Sequence, residues 1–335
     1  LRRDKKFSNL QKYTNYFKAN PLFDWYRNYQ GQTKRSVPVM LKERTFWADT
    51  EFFGLLGYPV RESLSPAMHN ANFRSLGMNA VYTPYEVKQE TLGRVIPALE
   101  VLRFRGLNVT MPLKQKVIEY LDELDEIATL CNAVNTVYWR GGKLCGSNTD
   151  GVGFVRGLKE QGRYDPTGKH CVIFGTGGAA RGVAFALCAA GISSIALWKR
   201  KSNDEKLQKL ASDLNAYRPG VCKVQSNDEN DIPNLLKENE LVINATPLGM
   251  EPNVDAVPFD TSLLDSSHMV CDLVYVPHDT RLLKEAEARG ARILYGYWMT
   301  IWQGVEAFRK WTGKDPDVEV MTKTILEHLT RNEAK

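Results

Sequence analysis

Two short polar turns carry the side chains best suited to chemistry. The first, GLNVTMPLKQK (Gly106–Lys116), holds Lys114 two residues after Pro112. The second, GSNTDG (Gly146–Gly151), holds Asp150 about thirty-five residues further on. A positioned lysine can pass a proton to or from an oxygen on a reacting carbon, and a carboxylate beside it can orient it. Read locally, Gly106–Val109 is a buried strand that stops at Pro112 and turns into a helix from about Leu113 to Leu124, because proline is favoured near the first helical position. Lys114 then falls in the first helical turn, the wrong end of the macrodipole for a cation. A lysine so placed is either solvated surface or has its ammonium destabilised for a purpose. Asp150 has a bland alternative too, as the N-cap of a helix Gly151–Gln161.

A third stretch points to a cofactor. In KHCVIFGTGGAARGVAFALCAAG an apolar strand is followed by a glycine turn and an Ala-rich helix. Gly175, Gly177 and Gly178 have the spacing of a dinucleotide fingerprint whose last glycine is replaced by Ala. Glycines there permit a tight turn and close approach of a pyrophosphate to the helix N-terminus. The next strand, SSIALW, ends in Lys199-Arg200-Lys201, where an NAD site would place an acidic residue. Three cations suit a ribose 2′-phosphate, so NADP is the expected cofactor, with NAD as the alternative. Asp204, if it reached the ribose, would reverse that preference.

The surrounding elements must position these turns. FFGLLGYPV reads as a buried strand leading into RESLSPAMHNANFRSLG, a polar turn with a helix starting after Pro66. Ser63 and Ser65 sit in that turn, where hydroxyls point at a ligand or Ser65 merely caps the helix. His69, inside the helix, is read as structural. Asn79–Glu86 alternates like a strand, and a helix runs from about Leu92 to Leu102. CNAVNTVYWRGGKLCGSNTD is a hairpin turning at Gly141–Gly142, with Asn135 presenting an amide beside Asp150. Further strands are expected at Leu241–Ala245, Met269–Leu273 and Arg292–Leu294. The loops NATPLGM and DLVYVP follow two of them, at the edge where open α/β sheets bind ligands. GYWMTIWQGVEAFRKWTG is an apolar-faced helix whose Trp302, Phe308 and Trp311 belong to the core; Gln303 is its polar exception.

With 335 residues the chain is too long for one ordinary core. A composition of 43% hydrophobic and 25% charged residues is that of a globular protein, and no apolar run approaches a membrane span. The formal charge of +5 is concentrated at one end: residues 1–45 hold eleven Lys/Arg and three Asp/Glu, leaving the rest at about −3. The body therefore lacks a nucleic-acid footprint. Six scattered cysteines without CxxC spacing suggest reduced thiols in a cytosol-like compartment and no metal site, with organellar targeting by the basic tail left open. That tail, rich in aromatics, reads as a helical extension packing on the body. The first residue is Leu, consistent with a processed product or a piece of a longer chain.

Taken together, SLSPAMHN, NVTMPLK, NAVNT, GSNTDG, GTGGAAR, NATPLGM, DLVYVP and WMTIWQG resemble, in type and order, the shikimate/quinate dehydrogenase family. The resemblance covers roughly Phe52 to Ile325. It implies an α/β fold of two domains, a substrate domain and a Rossmann-like dinucleotide-binding domain, with a C-terminal helix returning to the first. The expected divisions are an extension over 1–50, a substrate domain over 51–153, a cofactor domain over 154–296 and returning helices over 297–335. The implied reaction interconverts 3-dehydroshikimate and shikimate with a nicotinamide cofactor. Lys114 and Asp150 become the catalytic pair, and Ser63, Ser65, Asn108, Thr110, Asn135, Tyr275 and Gln303 the substrate ligands. Gly175, Gly177, Gly178, Ala179, Lys199, Arg200, Thr246, Met250, Gly296 and Met299 become the cofactor contacts. The implied partner is a small polyhydroxylated acid, with neither nucleic acid nor membrane, and the chain a monomer or homodimer.

The pattern departs at two points. Lys199-Arg200-Lys201 stands where the family has Asn-Arg-Thr, so that Arg200 alone carries over. Met299-Thr300 stands where the family has Met-Leu. Two other functions remain as alternatives. One is a quinate or dual quinate/shikimate dehydrogenase. The other is a non-enzymatic sensor on the same fold, for which an intact Lys–Asp pair and glycine turn would be superfluous.

Overall fold

The computed structural model describes residues 46–199, 205–224 and 228–333. The expected helical extension, and Arg200, Lys201 and Asp204 of the basic run, lie outside them.

The first sheet begins with β1 (Glu51–Gly57), whose second half is buried on both faces. A turn then leads into α1 (Ser65–Ser75), with Pro66 at its start and Met68, His69 and Phe73 turned inward. β2 (Ala80–Glu86) pairs parallel with β1 in unbroken register from Glu51↔Ala80 to Gly57↔Glu86. After α2 (Leu92–Val101), β3 (Phe104–Val109) pairs parallel with the other edge of β1. The short β4 (Glu123–Leu124) and α3 (Glu126–Cys131) lead to the expected hairpin, β5 (Thr136–Arg140) and β6 (Lys143–Ser147). Gly141 and Gly142 both have positive φ, as its tight turn requires. The sheet order is β2-β1-β3-β5-β6-β4, mixed in direction.

One expectation fails here. Residues 111–115 are turns, followed by a 3-10 helix Lys116–Tyr120, and no α-helix runs from Leu113 to Leu124. The cause is long-range. β4 pairs with β6 at Glu123↔Cys145, the Asp122 N–H donates to the Leu144 carbonyl, and the Asp122 carboxylate accepts from the Leu144 N–H. Sheet pairing overrides the local helical pattern. Lys114 therefore stands in a turn, and the macrodipole argument about it does not apply.

α4 (Asp150–Glu160) leads to the second sheet. In it β7 (His170–Phe174), α5 (Gly178–Ala189), β8 (Ser194–Trp198), α6 (Glu205–Tyr217) and β9 (Cys222–Val224) alternate. α7 (Ile232–Glu238), β10 (Leu241–Asn244), β11 (Met269–Asp272), α8 (Arg281–Ala288) and β12 (Arg292–Leu294) complete it. All pairs are parallel and the order is β12-β11-β10-β7-β8-β9. This is the doubly wound nucleotide-binding topology, whose order reverses between β7 and β10. β10 and β11 are buried along their whole length, because helices cover both faces.

α9 (Tyr297–Thr312) and α10 (Val318–Glu333) then return to the first sheet. Leu64 and Met68 share one apolar cluster with Ile301, Trp302, Met321 and Ile325. Trp311 lies over Gly106, where a Cβ would come within 2.1 Å of its ring, and its Nε1 donates to the Val137 carbonyl at 3.0 Å. Phe308 and Trp302 are buried as expected. His69 is fully buried and stacked on Tyr82, with its pKa pushed down to about 3 by burial, which agrees with a structural role.

Candidate active site

Lys114 is positioned by its backbone. Leu113, fully buried, closes a turn by donating to the Thr110 carbonyl, and the Lys114 carbonyl accepts from Val134 N–H at 2.8 Å. Val134 leads into the hairpin, whose Asn135 N–H donates to the Ser147 carbonyl at 3.0 Å, so the first turn is held beside the second, and Lys114 Nζ meets Asp150 Oδ2 at 2.6 Å. Asp150 is the first residue of α4, where a negative charge is favoured by the macrodipole. It is not the N-cap, which is Thr149. Its other oxygen accepts from Asn135 Nδ2 at 2.7 Å. Asn135 is oriented in turn by the Thr149 backbone N–H, a group that can only donate, at 2.8 Å from Oδ1. Thr136 Oγ1 donates to the same oxygen at 2.9 Å. The pair is only partly screened from solvent, with side-chain exposures of 27% for Lys114 and 14% for Asp150.

These groups open onto a cavity of about 390 Å³. Ser63, Ser65, Asn108, Thr110, Asn135, Tyr275 and Gln303 all line it, as do Lys114 and Asp150. Ser65 does not cap α1; its N–H donates to Ser63 Oγ at 3.3 Å. Gln303 is bracketed by the Thr300 carbonyl, which takes its Nε2 at 2.9 Å, and by Asn135 Nδ2 at 3.4 Å from Oε1. Burial pushes the Tyr275 hydroxyl above the usual phenol range. Sequence reasoning missed Tyr82, whose hydroxyl donates to Asn108 Oδ1 at 2.9 Å and also bonds to the Ser65 side chain. The alternation of NAVYTPYE places Tyr82 on the inward face, but nothing local says what it reaches. Arg61, Glu62 and Thr300 also line the cavity unannounced.

Ala179, Gly296 and Met299 form its far wall, toward the second sheet. Gly175 has φ +109°, and a Cβ there would come within 2.7 Å of the Ala245 carbonyl oxygen, so no other residue fits the switch point. Gly177 and Gly178 are different: an added Cβ would meet nothing within 4 Å. They border a groove of about 1100 Å³ that also reaches Lys114 and Asp150. Gly175, Lys199 and Thr246 line a third cavity of about 130 Å³. Met250 is 44% exposed and lines none of the three.

One buried network ties the loops after β10 and β11 together. Asn244 Nδ2 donates to Asp272 Oδ1 at 2.9 Å, and its Oδ1 accepts from Thr246 Oγ1 at 2.7 Å. Thr280 Oγ1 donates to Asp272 Oδ2 at 2.7 Å, and Val274 N–H to Oδ1 at 3.0 Å. Burial nevertheless outweighs these donors and raises the Asp272 carboxyl to about 6. Among the described residues no group of three or more His, Cys, Asp or Glu could hold a metal ion, and no helix is long and apolar enough to cross a membrane. All six cysteines are buried free thiols.

The description of the shikimate dehydrogenase substrate-binding domain matches residues 55–137, and that of the shikimate 5′-dehydrogenase C-terminal domain matches residues 296–326. The chain is similar to the shikimate dehydrogenase (NADP(+)) of Methanopyrus kandleri, with 44% identity over 285 residues, 84% of this chain and 97% of the relative. Among solved structures it is similar to shikimate 5-dehydrogenase from Listeria monocytogenes in complex with shikimate and NAD. There the identity is 34% and the TM-score 0.79, over 88% of this chain and 99% of the other. It is also similar to quinate dehydrogenase from Corynebacterium glutamicum in complex with NAD, with 35% identity and TM-score 0.75 over 83% of this chain and 99% of the other.

Proposed function

The chain belongs to the shikimate dehydrogenase family, and we propose that it catalyses the reversible, NADP-dependent reduction of 3-dehydroshikimate to shikimate. The observation that carries this reading is the Lys114–Asp150 pair, at 2.6 Å, in a polar cavity whose far wall is the glycine-turn side of a doubly wound sheet. The open space at Gly177 and Gly178 fits a dinucleotide pyrophosphate, which needs close backbone approach and tolerates no side chain. When bound, the nicotinamide supplies or accepts the hydride.

The residues of the chain do the rest. Hydride arrival at a ketone carbon leaves negative charge on its oxygen, and the Lys114 ammonium donates the proton that quenches it; in the reverse direction the amine takes that proton back. Asp150 holds Lys114 Nζ in place and offers a carboxylate to a neighbouring substrate hydroxyl. Asn135 fixes Asp150 so that it cannot rotate away. Ser63, Ser65, Asn108, Thr110, Tyr275 and Gln303 supply hydroxyl and amide groups from separate turns, as suits a small ring bearing several hydroxyls and a carboxylate. Residues 51–153 act as the substrate domain and 154–296 as the cofactor domain, closed by the helices after Gly296. Lys199, beside Gly175 and Thr246, together with Arg200 supports recognition of the 2′-phosphate.

The test is steady-state kinetics with shikimate and quinate, each with NADP and NAD. Shikimate with NADP is expected to give the highest kcat/KM. A higher value for quinate with either cofactor would replace this reading by quinate dehydrogenation, and no turnover of either acid would leave a binding protein.

A further inference from the structure

We infer that Thr300 is a further substrate ligand and a determinant of specificity, its hydroxyl making a hydrogen bond to the bound acid that a hydrocarbon side chain cannot make. The inference rests on the reading of the cavity as the substrate site. Thr300 stands in the first turn of α9 and lines that cavity between Met299 and Gln303.

Its hydroxyl behaves unlike those of the other threonines in the two C-terminal helices. Thr312, Thr322 and Thr324 each donate to the carbonyl four residues back at 2.8 Å, and Thr330 does so at 3.0 Å. This is the ordinary way a helical threonine satisfies its hydroxyl. Thr300 makes no such bond, and its hydroxyl has no hydrogen-bond partner among the described residues. A half-buried hydroxyl on a cavity wall keeps a donor and two lone pairs for whatever enters.

The neighbourhood says which end of the substrate it meets. Ile301, the next residue, shares an apolar cluster with Leu64, which lies between Ser63 and Ser65. The first turn of α9 is thus packed on the serine turn, and Thr300 acts on the same end of the substrate as those serines. The Thr300 main-chain carbonyl, not its side chain, holds Gln303. Removing the hydroxyl therefore leaves the path from Gln303 through Asn135 to Asp150 intact.

The experiment compares wild type, Thr300→Val and Thr300→Ser, with KM and kcat measured for shikimate and for NADP. Thr300→Val is expected to raise the shikimate KM about 3- to 10-fold, the worth of one hydrogen bond. Its kcat should stay within about 2-fold and its NADP KM should not move, because Lys114 and the glycine turn are untouched. Thr300→Ser should restore the wild-type KM. If Thr300→Val does not fold, Thr300→Ala against Thr300→Ser makes the same comparison. An unchanged shikimate KM without the hydroxyl, or a serine variant as impaired as the valine one, overturns the inference alone. A wild type that oxidises no shikimate overturns the reading of the cavity and this inference with it.

Discussion

Lys114 and Asp150 show how little of the proposed proton-transfer site has to be local. Lys114 belongs to a turn and Asp150 opens α4, each with ordinary structural duties, and the 2.6 Å contact follows from two backbone bonds in series, Val134 N–H to the Lys114 carbonyl and Asn135 N–H to the Ser147 carbonyl. Asn135 then satisfies the second oxygen of Asp150, so the carboxylate is held from two sides. Lys114→Ala is expected to lower kcat by ~10²-fold or more, the usual loss on removing a general acid–base, with NADP affinity near wild type in a fluorescence titration. Asp150→Asn is expected to lower kcat as well and to raise the shikimate KM, since it releases Lys114 and changes what the substrate hydroxyl meets. Variants that melt at lower temperature but turn over normally would reduce both residues to structural contacts.

At the scale of elements, α4 is the piece on which the site depends. Its glycines face two neighbours. A Cβ at Gly151 would lie 2.1 Å from the Gly182 carbonyl oxygen of α5, and one at Gly153 would lie 2.5 Å from Gln303 N of α9. Polar contacts then fix α9 alongside: Arg156 pairs with Glu306 at 2.6 Å, and Trp302 Nε1 donates to Gln161 Oε1 at 2.7 Å. This close packing is what brings Gln303 to Asn135. Gly153→Ala is expected to destabilise by ~1–3 kcal/mol through overpacking, less the helix-propensity gain of alanine, and to raise the shikimate KM by displacing Gln303. Gly177→Ala is the contrasting case. Its φ of −74° suits any residue and its surroundings are open. Stability should stay within about 0.5 kcal/mol while the NADP KM rises, because only the space for the cofactor is lost. Urea denaturation and steady-state kinetics on both variants check the pair.

For the whole molecule, two buried groups set opposite dependences of stability on pH. His69 is held neutral, with its pKa depressed from 6.5 to about 3. Its contribution is present above pH 6.5 and is lost as pH falls toward 3, because the unfolded chain then binds the proton first. Asp272 is raised from 3.8 to about 6. Its contribution is full below pH 3.8 and is lost as pH rises through 6. Asp272→Asn removes the contribution that grows on acidification and leaves His69 unopposed. The drop in Tm between pH 7 and pH 4.5 is therefore expected to be larger in Asp272→Asn than in wild type, and a smaller drop would contradict it. The chain crosses between the two sheets at α4 and again at the entry to α9, and two such crossings permit closure of one part on the other. NADP with shikimate is expected to protect the NVTMPLK and GSNTDG turns from hydrogen exchange more than NADP alone. Equal protection would indicate a preformed cleft.

Where structure is set by neighbours in the chain, the sequence was sufficient. The strand–glycine–helix of Lys169–Gly191, the Gly141–Gly142 hairpin and the buried runs of β10 and β11 follow from local periodicity and from backbone angles that glycine alone adopts freely. The order of motifs was enough to point to the cavity residues from Ser63 to Gln303. The segment after Pro112 is the counterexample. Its residues have a helical pattern, but pairing of Glu123 with Cys145 holds the last of them extended, and that partner is more than twenty residues away. The Asn135 clamp, the Tyr82 hydroxyl between Ser65 and Asn108, and the unpaired Thr300 hydroxyl were decided by tertiary structure alone. Each depends on which side chains from distant elements meet at hydrogen-bonding distance, a matter of sheet order and helix packing that no local pattern encodes.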